Sequence, residues 1–152
     1  EKGVIAPYIE TVEQVKMLVG ASKLRPLKGE LLASILRQLE PVPAGASAHD
    51  NLYEQVLRIT GQPDLVAFLR KKNADNFLLI NVESRPALEN LDRLLEVPGL
   101  DGGLIGPHDL SVNLGVPEMW EHPDFLSAID RIIDAFRARN LAIGNHYSFA
   151  HR

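Results

Sequence analysis

The sequence contains no cysteine. Disulfide cross-links and thiolate chemistry are therefore excluded, and the redox compartment is left open. No apolar run approaches the about 20 residues that a membrane-spanning helix needs. A membrane partner is thus not expected. No secretory signal pattern is visible, so a cytoplasmic setting is expected. Basic residues form no stripe interleaved with aromatics, and the net charge is −4. Nucleic acid is accordingly not expected as a partner. There is no internal repeat and no low-complexity tract.

What is present suits a soluble globular chain. The 152 residues are one domain's worth, read as a single unit over 1–152. Hydrophobic residues make up 45%, enough to fill a sizeable core. Along the chain, short apolar runs alternate with stretches of helical period. A strand is expected over 3–7, closed by Pro7. Thr11 and Gln14 then have capping-box spacing. Val12, Val15, Leu18 and Val19 continue with helical period, which predicts a helix over 11–21. The segment 22–29 is a basic turn, in which Leu24 and Leu27 could bracket a brief extended piece. Further helices are expected over 30–40, 51–59 and 63–73, with a breaker-rich loop over 41–47. Strands are expected over 77–82, 102–105 and 141–143. Leu88, Leu91, Leu94 and Leu95 give the helix after Ser84 a buried face. The run Phe125, Leu126, Ile129, Ile132, Ile133 and Phe136 is the clearest amphipathic helix.

Alternating strands and helices predict a parallel α/β sheet. Four strands cannot close an eight-stranded barrel, which usually needs about 250 residues. The fold class expected is therefore α/β, about half of a (β/α)₈ TIM barrel. Its organising stretch is 78–111. There Glu83 and Asp109 each follow a short apolar run, where a buried parallel strand would leave the sheet. Barrel enzymes draw catalytic groups from these carboxyl ends. Two carboxylates so placed can share one divalent cation, since hard cations often take one or two carboxylates plus water and substrate. The alternatives are a helix-start acid for Glu83 and an Asx-turn or cap for Asp109. Gly106 and Pro107, with Asp109 and Ser111 following, suit an anion-binding turn. His108 could touch substrate or offer only its N–H. His146, at the end of the last strand, could line the pocket or be structural. Glu10 could support the cation site or only start a helix. Arg25 and Lys28 could meet an anionic substrate, but read rather as solvated turn charges. Met119 and Trp120 could cover the pocket or a subunit contact.

The segments APYIET, INVES, GLDGGLIGPHDLS and GNHYSF, in this order, resemble the HpcH/HpaI aldolase family, relatives of the citrate lyase β subunit. The likeness covers most of the chain, with 77–111 its strongest part. It implies a (β/α)₈ barrel of metal-dependent class II pyruvate aldolases, with these strands as roughly the fourth to seventh. Glu83 and Asp109 match the family's two metal ligands, for Mg²⁺, Mn²⁺ or Co²⁺. The turn around Pro107, His108 and Asp109 matches the one that holds the substrate carboxylate. Asn81 lies where many members carry a Gln that contacts the substrate's oxo group, so the identity of that contact is open. The family's His base and pyruvate-binding Arg belong to earlier strands. No general base is therefore assigned in this chain, and it is expected to show little turnover by itself. The implied reaction cleaves a 4-hydroxy-2-oxo acid to pyruvate and an aldehyde, in a homo-oligomer. A CoA-ester lyase of the citrate lyase branch, or a non-catalytic metal-binding or assembly module, are the alternatives.

Overall fold

The apolar runs over 3–7, 77–82, 102–105 and 141–143 mark the strands, and the longer helices fall on the stretches of helical period. The computed structural model describes residues 2–145. The order is β1 (Gly3–Ala6), α1 (Val12–Lys23), α2 (Gly29–Gln38), α3 (Ala48–Thr60), α4 (Pro63–Lys72), β2 (Phe77–Val82), α5 (Arg85–Glu89), α6 (Leu91–Leu95), β3 (Gly102–Ile105), α7 (Pro107–Asn113), α8 (Pro123–Ala138) and β4 (Ala142–Asn145). The four strands form one sheet in the order β1-β2-β3-β4, and every neighbouring pair is parallel. Parallel strands need crossover connections, which the helices supply. The result is an α/β arrangement that matches part of a (β/α)₈ barrel.

Register sets which side chains share a face. Ala6 pairs with Ile80, Ile80 with Gly103, and Gly103 with Ile143. On β2 the two-residue period of a strand sends Leu78, Ile80 and Val82 to one face, where each is fully buried. The residues covering that face include Val15 and Val19 of α1, Leu94 of α6, and Ile132 and Phe136 of α8, all buried. Each such side chain contributes about 1.5–3 kcal/mol on leaving water. Gly103 has a packing reason: a Cβ there would lie 2.5 Å from the Phe136 ring. The other face carries Ile5, Phe77, Leu79, Asn81 and Leu104, all exposed or half-buried.

Local signals explain most boundaries. Thr11 caps α1, and Gln14 returns the bond to the Thr11 N–H, so the capping box forms. Ser47 caps α3 three residues earlier than periodicity predicts a helix, because the capping serine lies inside the breaker-rich loop. Ser84 caps α5.

Two expectations are corrected. The helix after Ser84 is two short helices, which meet at Asn90. The Asn90 side chain donates to the Glu10 carbonyl at 2.9 Å, so a tertiary contact holds the break. The segment 22–29 contains no strand; Leu27 N–H instead donates to the Leu24 carbonyl in a turn. Nor is its basic character all solvated. Lys23 is 1% exposed. Its Nζ lies 2.6 Å from Asp101 Oδ2 and also donates to the Asn76 carbonyl. Asp101 accepts a second bond from the Leu78 N–H, which ties α1 to the starts of β2 and β3.

Candidate functional site

Because the strands are parallel and adjacent, the carboxyl ends of β1, β2 and β3 lie at one edge of the sheet. Tyr8 follows β1 by two residues, Glu83 follows β2 directly, and Asp109 sits in the first turn of α7 after β3. Tyr8 joins the other two. Its main-chain N–H donates to Glu83 Oε1 at 2.8 Å, and its hydroxyl donates to Asp109 Oδ1.

Tyr8 adopts φ +49. For a bulky residue this left-handed conformation is a true outlier, with a cost of about 1–3 kcal/mol. Such strain persists where surrounding bonds over-determine it, and Tyr8 has a bond at each end. The phenol pKa is pushed up to about 12. The hydrogen bond to Asp109 is the main cause, followed by partial desolvation and the negative charges of Asp109 and Glu83; the Asn113 side chain pulls the other way. Tyr8 therefore keeps its proton at neutral pH and remains a donor.

Glu83 is 4% exposed. Its Oε2 occupies the space where a side chain at 106 would be: a Cβ on Gly106 would lie 2.2 Å away. Gly106 has φ −91, so space and not backbone freedom requires the glycine. Asp109, by contrast, is exposed, and its carbonyl accepts from Asn113 Nδ2 at 3.0 Å.

The α7 turn is fixed from beneath. Ser111 is fully buried; its hydroxyl donates to the His108 carbonyl at 2.8 Å and accepts from the Glu118 N–H at 3.0 Å. Pro107 is buried at the first helical position. The N–H groups of His108 and Asp109 lie in the first turn of α7. The His108 side chain faces elsewhere. Its Nδ1 lies 3.3 Å from Glu118 Oε1, and its ring meets Trp120 edge-on at 5.1 Å. Trp120 in turn packs against the buried Phe125. Trp120 thus anchors the 117–122 loop to the core.

Asn81 is half-buried and lies two residues before Glu83, opposite Leu104 in register. His146 lies outside the described residues. The Glu10 main chain is bonded to Gln14 and Asn90, which suits its helix-start reading.

Among the described residues no group of three or more His, Cys, Asp or Glu side chains is arranged to hold a metal ion. Among the described residues, the carboxylate donors at this edge are Glu83 and Asp109. That set does not suit a closed structural zinc site. It does suit a hard cation that completes its shell with water and substrate oxygens. The nearly buried Glu83 carboxylate, in a cradle kept open by Gly106, is the observation that favours this fit. A groove of about 790 Å³ lies at the opposite, amino end of the strands, between the 42–48 loop and residues 137–141. It is remote from these carboxylates.

The sheet is that of a partial (β/α)₈ barrel, with two carboxylates at the carboxyl ends of its strands. A family model described as HpcH/HpaI aldolase/citrate lyase matches residues 1–152. The chain belongs to the HpcH/HpaI aldolase/citrate lyase family. It is 36% identical over 140 residues to a 2-keto-3-deoxy-L-rhamnonate aldolase of Klebsiella pneumoniae, covering 92% of this chain and 45% of the relative. The protein of the same name from Salmonella paratyphi B is 34% identical over the same length and shares. The chain therefore spans about half the length of the curated relatives it matches. In fold it is similar to an HpcH/HpaI aldolase from Desulfitobacterium hafniense, with TM-score 0.65 and 21% identity, covering 98% of this chain and 50% of the other. It is also similar to the citrate synthase SbnG, with TM-score 0.67 and 18% identity, covering 99% and 49%.

Sequence reasoning did not single out Tyr8. Its motif, APYIET, was visible, but neither the residue type nor its spacing signals a left-handed tyrosine that bonds two carboxylates. The one available clue is its position just past a strand and a proline.

Proposed function

We propose that this chain carries the cation-holding part of an aldolase site for cleavage of a 4-hydroxy-2-oxo acid to pyruvate and an aldehyde. The observation that carries the reading is the meeting of Glu83 and Asp109 at one sheet edge, both bonded to Tyr8. The relatives' name supports it chemically, since a 2-keto-3-deoxy sugar acid is a 4-hydroxy-2-oxo acid.

Glu83 and Asp109 hold the cation, with Mg²⁺ or Mn²⁺ as the expected ions. When bound, it supplies Lewis acidity to the 2-oxo group and orients the substrate. The His108 and Asp109 N–H groups at the start of α7 offer donors to the substrate carboxylate. Buried Ser111 keeps that turn rigid through its two bonds. Asn81, two residues before Glu83 on β2, is taken as the residue at the contact to the oxo oxygen, on the resemblance. The aldol step also requires a base for the 4-hydroxyl proton, and no described residue is assigned that role.

The reading is tested by titrating the chain with pyruvate, with and without Mn²⁺, and by following pyruvate release from a 4-hydroxy-2-oxo acid. Pyruvate binding that requires Mn²⁺ is expected. Cation-independent binding would sink the proposal, and turnover of a CoA ester in place of the oxo acid would move it to the citrate lyase branch.

A further inference from the structure

Among the described residues, Tyr8 donates to both carboxylates, and the proposed reaction gives it no role. We propose that Tyr8 is a positioning residue that holds Glu83 and Asp109 in the arrangement that receives a divalent cation; this rests on the reading of that pair as the cation site.

The argument begins with oxygen valence. An ionised carboxylate has about four acceptor directions on two oxygens. Tyr8 uses one oxygen of each group: Oε1 of Glu83 through its N–H, and Oδ1 of Asp109 through its hydroxyl. Oε2 of Glu83, over Gly106, and Oδ2 of Asp109 are outside these two bonds. Two adjacent carboxylates repel, and a donor to each offsets that repulsion before any cation arrives. Hydrogen-bonded partners of this kind orient ligating carboxylates and commonly change metal affinity by about 10- to 100-fold.

The backbone makes the two bonds one device. At φ +49 the N–H and the phenol of Tyr8 diverge so that each reaches a different carboxylate. Rotation of φ to the usual negative range would redirect the N–H relative to the ring and break one bond. Tyr8 is also 45% exposed, so its ring is not part of the core. Replacing its hydroxyl changes the carboxylate contacts far more than the packing.

The test uses the full chain, Mn²⁺ as the probe, and calorimetry together with the electron paramagnetic resonance of free Mn²⁺. Tyr8→Phe keeps the ring and the N–H but loses the bond to Asp109. It is expected to weaken Mn²⁺ binding about 10-fold with an unchanged melting temperature. Tyr8→Gly also lacks the hydroxyl but suits the left-handed backbone. It is expected to fold normally and to bind Mn²⁺ as weakly or more weakly. Asp109→Asn is the control for the site itself. If Asp109→Asn weakens binding and Tyr8→Phe does not, the positioning role is overturned and the site stands. Tighter binding by Tyr8→Phe would also overturn it, since the hydroxyl would then be a competitor of the cation. If Tyr8→Phe binds and melts poorly while Tyr8→Gly recovers both, the residue is structural only. If the wild type and Asp109→Asn bind Mn²⁺ alike, the site reading fails, and the positioning role with it.

Discussion

Gly106 and Glu83 exclude each other's side chains: a Cβ on Gly106 would lie 2.2 Å from Glu83 Oε2 and 3.0 Å from Glu83 Cβ. Glu83 cannot simply swing aside, because it is buried and its other oxygen accepts the Tyr8 N–H. Gly106→Ala should therefore displace the carboxylate. Overpacking of this kind costs about 1–3 kcal/mol. The expected result is a loss of that size in denaturant unfolding, with weaker Mn²⁺ binding. Unchanged stability together with unchanged Mn²⁺ affinity would count against this packing argument.

Asp109 and His108 are neighbours in sequence but should differ in effect. The Asp109 carboxylate meets Tyr8 at the sheet edge, whereas the His108 ring is engaged by Glu118 and Trp120. A bound ion stabilises the folded chain by about 2.7 kcal/mol when present at a hundred times its dissociation constant. Added Mn²⁺ should raise the melting temperature of the wild type and of His108→Ala, and chelation should reverse the rise. Asp109→Asn should show little or no rise. An equal response in both variants would remove Asp109 from the ligand set.

The contrast between these residues shows what the sequence made legible. The placement of Glu83 and Asp109 at one sheet edge was legible because each follows an apolar run of strand length, and parallel strands deliver their ends to one edge. The strands 77–82 and 102–105 were legible for the same reason. Capping at Thr11 was readable from its spacing to Gln14. The buried role of Lys23 was not, because a lysine between a helix and a turn gives no local sign of its partner at Asp101. Nor was the break at Asn90, where the helical period continues and the cause is a bond to Glu10, 80 residues away. Tyr8 is the extreme case: its contacts with both carboxylates depend on a backbone angle that no local residue pattern signals.

Lys23 and Asp101 yield an asymmetric prediction. Lys23 is 1% exposed at its side chain, whereas Asp101 is 28% exposed. Asp101→Ala leaves the buried ammonium with the Asn76 carbonyl but without its counter-charge, and also frees the Leu78 N–H. Removing one member of a buried pair costs about 3–5 kcal/mol. Lys23→Met replaces the ammonium with an apolar chain of similar length, while Asp101 retains water on one side and its bond from Leu78. It should cost clearly less. Equal losses in urea unfolding would indicate that the pair acts through packing and not through charge.

The last prediction concerns the more exposed face of the described sheet. Parallel sheets normally have both faces covered. Here Leu78, Ile80 and Val82 are fully buried on one face, whereas Ile5 is 49% and Phe77 42% exposed on the other. Register sets Ile5 beside Leu79, so these side chains form part of one apolar surface. Water disfavours such a patch, and β1, an edge strand of the described sheet, adds unpaired main-chain groups that invite association. The chain should therefore bind a hydrophobic dye and gain mass with concentration in sedimentation. Ile5→Lys puts a charge into the patch at an edge strand. Because Ile5 is half exposed, its effect on stability should stay within about 0.5 kcal/mol, as for ordinary surface substitutions. Dye binding and self-association should fall together in that variant. A wild-type chain that stays monomeric and binds no dye, or an Ile5→Lys variant that associates as before, would show that this face does not drive assembly.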